Sequence, residues 1–270
     1  MLFMRKAILV GAALVLGSAQ GVLAADLYGG GIKDAPAMAA MPAPSAGWYV
    51  RVDGGYNLFD DATVTVEGFT TSNSSIDNSW SIGGGIGRYF GRGFRGDITV
   101  DHLFDSAVQS DIDCGCVGAY IGTAKFDFSS TVVLANLYYD FNRGGRFVPY
   151  IGAGVGFAHN ETSAGEVDNT CGCIATIDKG SDNRFAAAAM AGLSWRLRGG
   201  ETTYVGGLKD EPAAVHTSNA LYLDVGYRFL YLGSVKTGDL VWNAANVGVD
   251  PEVKDITAQQ VRVGLRYDLN

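Results

Sequence analysis

Long hydrophobic runs are what this sequence lacks most. After residue 24 no stretch reaches about 18 uncharged apolar residues, the least a spanning helix needs. The best candidate, Phe185 to Trp195, is stopped by Arg184 and Arg196. Helical membrane spans are excluded on that basis, and a closed barrel is the one remaining way through a bilayer. Proline is also scarce, at 6 of 270 residues, so little interrupts strand pairing. Cations are outnumbered, 20 Lys and Arg against 28 Asp and Glu, for a net charge of −8. That balance argues against nucleic acid, whose phosphates want a basic surface. Only three histidines occur, His102, His159 and His216, and their scatter builds no His–Ser catalytic pair. Phosphate loop, HExxH motif and EF-hand loop are all missing. The sequence therefore predicts no enzyme and no cofactor.

What is abundant points the other way. Glycine reaches 38 residues, and Tyr and Phe 13 each. With few prolines, that mixture fits long strands better than helices. Residues 1–24 read as an export signal: Arg5 and Lys6, then the apolar run Ala7 to Leu16, then Val22-Leu23-Ala24 at the cleavage point. Its removal takes the net charge from −8 to −10. Residues 25–46, with Pro36, Pro42 and Pro44 among Ala and Gly, read as a flexible periplasmic tail. Residues 47–270 are then the barrel.

Eight segments of that part alternate between two faces, the signature of a transmembrane barrel strand. They are Trp48 to Leu58, Trp80 to Phe90, Phe94 to Phe104, Lys125 to Phe141, Phe147 to Ala158, Phe185 to Leu197, Leu221 to Leu230 and Gln259 to Leu269. One face is apolar throughout; the other mixes charges with glycine. Alternation alone does not say which face is inside. The export signal, the aromatics near segment ends (Trp48, Phe94, Phe147 and Trp195 among them) and the loop asymmetry place the apolar face on lipid. The links at 91–93 and 142–146 are short, and those at 59–78, 105–124 and 159–183 long and polar, as in outer-membrane barrels with short periplasmic turns. The link at 198–219 breaks this rule by its length. The fold class predicted is all-β: an eight-stranded antiparallel up-and-down transmembrane β-barrel of outer-membrane type.

Three motifs carry a family resemblance: Val148-Pro149-Tyr150-Ile151-Gly152-Ala153-Gly154-Val155-Gly156, Leu223-Asp224-Val225-Gly226-Tyr227-Arg228-Phe229, and Val261-Arg262-Val263-Gly264-Leu265-Arg266-Tyr267. They resemble the small OmpA-like outer-membrane proteins of alphaproteobacteria, which include major surface antigens of rhizobia, Brucella and Bartonella. The resemblance covers about residues 47–269. It implies an eight-stranded barrel in the cell outer membrane of a Gram-negative bacterium, with roles in envelope integrity, surface antigenicity and, in some members, hemin binding or adhesion. The chain departs from the family in ending Leu269-Asn270 where a terminal Phe is usual.

Two constellations are candidate sites. The first is two Cys-Gly-Cys units, Cys114/Cys116 and Cys171/Cys173, in the second and third extracellular links. Export into an oxidising compartment makes disulfides the default. Cys114 with Cys173 and Cys116 with Cys171 suits two extended antiparallel arms. Closure within each unit is strained, and a four-thiolate zinc site needs reduced sulfur. The second is a set of inward charges: Arg51, Asp53, Arg95, Asp97, Asp101, Asp140, Arg184, Arg196, Asp224, Arg228, Arg262, Arg266 and Asp268. Either they pair and fill a narrow lumen, or they line an ion-selective pore; eight strands leave an interior just wide enough for side chains, which favours filling. The leading expectation is a structural and surface-interaction protein with disulfide-braced loops. The alternatives are a narrow porin-like pore, and capture of hemin or a host surface, with His159 as the obvious hemin ligand. The partners implied are outer-membrane lipid and lipopolysaccharide, the barrel-assembly machinery, and a host or neighbouring-cell ligand.

Overall fold

The computed structural model describes residues 47–113, 121–142, 145–169, 175–199, 202–205, 213–216, 219–242, 245–246 and 249–269. The expected signal (1–24), the tail (25–46) and the cysteines Cys114, Cys116, Cys171 and Cys173 lie outside them.

Eight long strands carry the fold. They are β1 (Trp48–Phe59), β4 (Ser79–Gly91), β5 (Phe94–Asp113), β6 (Ile121–Asp140), β7 (Phe147–Thr162), β10 (Gly180–Arg198), β13 (Leu221–Lys236) and β16 (Glu252–Asp268). Each pairs antiparallel with the next, and β16 returns to β1 over Tyr49↔Asp268 to Phe59↔Ala258. The pairing is thus a closed ring of eight. Tight turns join β4 to β5 through Arg92 and Gly93, both at positive φ (50° and 86°). That end is called the turn end below.

Exposure decides which face is inside. Trp80, Phe90 and Phe157 are more than 60% exposed, while Arg95, Arg228 and Arg266 are at most 1% exposed. A soluble barrel has the opposite sense. Apolar side chains cross every seam of the outer face: Val50 lies opposite Tyr267 and Ile86, Ile86 opposite Ile98, and Ala135 opposite Ile98 and Val155. A girdle of bare apolar side chains this continuous is stable only in hydrocarbon. From Trp80 to Phe90 its height is roughly 25 Å for strands tilted as barrels require.

Most of the strands run further than the alternation predicts, by more than a residue only at the end away from the turns. β5 reaches Asp113, β7 Thr162 and β13 Lys236, while β16 begins at Glu252. The added lengths form a collar with the short strands β2 (Thr63–Thr65), β3 (Thr70–Ile76), β8 (Gly165–Asn169), β9 (Ala175–Ile177), β14 (Leu240–Trp242) and β15 (Ala245–Asn246). β3 extends β5, β2 extends β16, and β8, β9, β14 and β15 build outward from β6. Much of the sequence expected as long polar links is therefore paired strand. The reason shows along β6. Even-numbered residues point inward throughout, but their character changes: Ala124, Phe126, Phe128, Val132 and Leu134 are apolar, whereas Asn136, Tyr138 and Asp140 are polar. Odd-numbered residues change the opposite way, from Lys125, Asp127, Ser129 and Thr131 to Val133, Ala135, Leu137 and Tyr139. The strand keeps its register, and the surrounding medium changes from water to lipid.

The long connection 198–219 holds β11 (Thr202–Val205) and β12 (Ala213–His216), paired as a separate two-stranded hairpin.

Candidate functional site: a filled lumen

Inside the ring, in the half nearest the turns, lie five arginines and five aspartates. Every second residue of β1, β5, β13 and β16 faces the axis, so Arg51/Asp53, Arg95/Asp97/Asp101, Asp224/Arg228 and Arg262/Arg266 converge there. Glycine on the neighbouring strand makes the room. A Cβ at Gly83 would collide with Asp101 Oδ1, and one at Gly264 with Asp53 Oδ1.

The ionic contacts form linked groups. Arg51 grips Asp53 with two bonds, Nη2 to Oδ1 at 2.6 Å and Nε to Oδ2 at 2.8 Å. Its Nη1 also donates to Asp97 Oδ2 at 3.2 Å and to Tyr138 Oη at 3.0 Å. Asp97 further accepts from Tyr49 Oη at 2.9 Å and Asn136 Nδ2 at 2.8 Å. Arg95 donates to Asp140 at 3.0 Å and stacks 4.0 Å above the Tyr138 ring. Asp101 accepts from Arg228 and Arg262, each at 2.8 Å. Arg228 also donates to Gln260, whose amide donates to Asn57 Oδ1 at 2.5 Å. Arg266 donates to Asp224 at 3.1 Å, to Ser194 at 3.0 Å and to Tyr89, and lies 4.4 Å from the Tyr222 ring centre. Charge balances across these ten groups, which is what burial in so narrow a space requires.

The other three charges of the expected set sit at the edges. Arg184 pairs with Asp182 at 3.1 Å near the collar and is about one-third exposed. Arg196 is half-buried near the turn end. Asp268 accepts from Tyr89 Oη at 2.7 Å at the last rung of β16. Among the uncharged participants that a tally of charges misses are Tyr89 and Gln260. Both have the parity of inward neighbours: Tyr89 continues Gly83, Gly85 and Gly87, and Gln260 precedes Arg262.

Above the ionic half the axis is apolar. Leu103, Phe128, Val132, Leu134, Leu230, Leu232 and Ile256 are fully buried together. Asn160 and Ser130 are polar side chains buried among them. Asn160 accepts from Ser130 Oγ at 2.7 Å and donates to the Leu232 carbonyl at 2.9 Å. The cavity found in the ionic half, between Arg51, Asp53, Asp224, Arg228 and Arg262, has a volume of about 10 Å³. That is room for about one water molecule. On the outside of the collar a cleft of about 470 Å³ runs past Gln109, Lys125, Phe126, Asp127, Glu166 and Thr176.

His159 sits at the upper margin of the apolar girdle. Its Nδ1 lies 2.9 Å from Asn183 Oδ1 and its Nε2 3.6 Å from Glu161. His102 Nδ1 lies 3.0 Å from Thr131 Oγ1. Among the described residues no group of His, Cys, Asp or Glu is arranged to hold a metal.

A closed eight-stranded ring, apolar outside and ionic within, defines a transmembrane β-barrel. Residues 34–268 match the model of the outer membrane protein beta-barrel domain family, and the chain belongs to that family. It is a protein of the Gram-negative outer membrane. It is similar to an uncharacterized protein of Brucella abortus (strain 2308), 29% identical over 288 residues, covering 91% of this chain and 92% of the relative. A putative adhesin of Rickettsia bellii (strain OSU 85-389) is 22% identical over 225 residues, covering 82% and 88%. Among solved structures, OprG from Pseudomonas aeruginosa aligns with TM-score 0.48 at 14% identity, covering 83% of this chain and 97% of that one. Neisserial surface protein A aligns with TM-score 0.41 at 17% identity, covering 82% and 96%.

Proposed function

We propose that the protein is a non-conducting, non-enzymatic surface barrel that holds a rigid β-collar outside the cell and acts through that collar. The observation that carries this is the filled axis. Ten ionic side chains block one half, an apolar core blocks the other, and a cavity of about 10 Å³ lies in the ionic half. An ion would have to break several buried pairs and then cross a hydrocarbon-like plug. The short turns at one end and the long collar at the other support an extracellular collar. Its outer cleft of about 470 Å³ is of ligand-binding size. The description of the Rickettsia relative as a putative adhesin agrees with a collar that meets another surface. Hemin capture has less support, since both ring nitrogens of His159 face side-chain oxygens.

The two Cys-Gly-Cys units belong to the same reading. Gly122, six residues after Cys116 in sequence, pairs with Asn169, two residues before Cys171. Disulfides between the two units would brace the collar. Mass spectrometry of non-reduced digests should find these peptides linked, and free thiols throughout would remove the brace.

The direct test is single-channel recording from refolded protein in a planar bilayer, with folding confirmed by heat-modifiable gel mobility. Silence is expected. Steady openings that shift on Asp224→Asn would replace this reading with a pore.

A further inference from the structure

Charge outside the lumen is sorted along the barrel axis. The collar end carries an excess of exposed acids, among them Asp60, Glu67, Asp105, Asp127, Asp168 and Asp255, over the exposed lysines Lys125, Lys179, Lys236 and Lys254. At the turn end the exposed charges among the described residues are arginines: Arg88, Arg92, Arg146 and Arg198. None of the four forms an ion pair within the described residues. The described aspartates of that half are otherwise engaged, Asp140 by Arg95, Asp224 by Arg266, and Asp268 by Tyr89.

Two of these arginines are held by tryptophan. The Arg88 guanidinium lies 5.7 Å from the Trp48 ring centre, opposite it in the β1–β4 pairing. The Arg146 guanidinium lies 5.7 Å from Trp195, which in turn stacks on Phe147 with centroids 5.8 Å apart. Both tryptophans stand on the lipid-facing side at the lower limit of the apolar girdle. Tryptophan prefers that depth because one part of its ring is apolar and the N–H is polar. A guanidinium resting on such a ring keeps its outer N–H fork for a phosphate.

We infer that this arginine–tryptophan rim binds the phosphodiester headgroups of anionic phospholipids. Four arginines at one membrane boundary, with no ion pair among the described residues, attract net negative lipid, and the planar fork matches a phosphate's paired oxygens. The assignment to phospholipid, the lipid of the inner leaflet, rests on the collar facing outward as proposed above. The headgroup preference itself does not depend on which way the barrel faces.

The test uses the tryptophans as reporters. The chain has four, so Trp80→Phe with Trp242→Phe leaves Trp48 and Trp195. The folded protein is placed in phosphatidylcholine vesicles containing brominated phosphatidylglycerol or brominated phosphatidylcholine, and fluorescence quenching reports which headgroup sits at the rim. Several-fold preference for phosphatidylglycerol, weakened by salt, is expected. Combined Arg88→Gln, Arg92→Gln, Arg146→Gln and Arg198→Gln should bring the two lipids about level while heat-modifiable mobility is kept. The corresponding lysine variants should keep part of the preference. Equal quenching with the native arginines, or a preference that survives the glutamine variants, would overturn the proposal. So would displacement of the brominated phosphatidylglycerol by an equal amount of lipopolysaccharide, which would give the rim to the other leaflet. Orientation is read separately, by protease cleavage of the collar on intact cells.

Discussion

The two halves of the barrel solve the same packing problem with opposite chemistry. Near the turns the wall is apolar and the filling ionic. In the collar the wall is polar and the filling is Phe, Leu, Ile and Val. The ionic half is surrounded by lipid, so water cannot reach its wall, and its charges must satisfy one another. The collar stands in water and gains stability as a soluble domain does, by removing apolar surface from solvent. One continuous set of strands does both, by exchanging the character of its two faces near Leu134 on β6, Leu230 on β13 and Ala258 on β16.

That contrast predicts different failure modes. Removing one ion of the lower half leaves its partner buried and unpaired. Arg228→Met should cost about 3–5 kcal/mol in urea unfolding from vesicles. Adding Asp101→Asn should recover only part of this, because Arg262 also leans on Asp101. A double variant no better than the single one would mean that the lumen is not a network of pairs. Truncation in the collar leaves a void instead. Leu232→Ala should cost about 2–5 kcal/mol. Its signature should be early proteolysis of the collar, with the heat-modifiable membrane barrel retained. Simultaneous loss of both halves would show that they fold as one cooperative unit.

Smaller effects sharpen the comparison at the surface. Lys125→Ala breaks an exposed pair with Asp168 and should change stability by no more than about 1 kcal/mol. Acid should act on the collar through Asp111. Hydrogen bonds from Asn73, then Thr123, hold its carboxyl below the usual carboxylate range. The stabilisation is present above the unfolded value and is lost as pH falls through the lower folded one. Backbone hydrogen exchange in β3 should therefore speed up only in strong acid. Unchanged protection after Asp111→Asn at neutral pH would remove Asp111 as the cause.

The membrane half was legible in the sequence. All eight alternating segments fall within the eight long strands or within a residue of their ends, and, from Val133 onward in the fourth and throughout the others, their apolar side is the exposed side. This works because lipid imposes one rule along a whole strand. The collar was not legible, for a physical reason. Beyond the girdle the alternation continues with its sense reversed, so a search for an apolar outer face stops there. Lys125 to Val132 shows the reversal plainly: polar at 125, 127, 129 and 131, apolar at 126, 128 and 132. The hairpin of β11 and β12 had no comparable cue, since four-residue strands hold too few alternations to count. Among the charges, ten converge on the axis, Arg95 and Asp140 among them although they stand at strand ends, while Arg184, Arg196 and Asp268 lie at the margins.

The exchange of faces also fixes how high the molecule floats. Sinking by one pair of residues would drag Thr131 of β6 into hydrocarbon, and rising by one pair would lift Val133 into water. Adjacent strands repeat the boundary at their own levels, so tilting is resisted as well as bobbing. The strands thus carry a waterline written into their own sequence, and a swap of two neighbouring residues on β6, Thr131 for Val and Val132 for Thr, would blur it without altering composition.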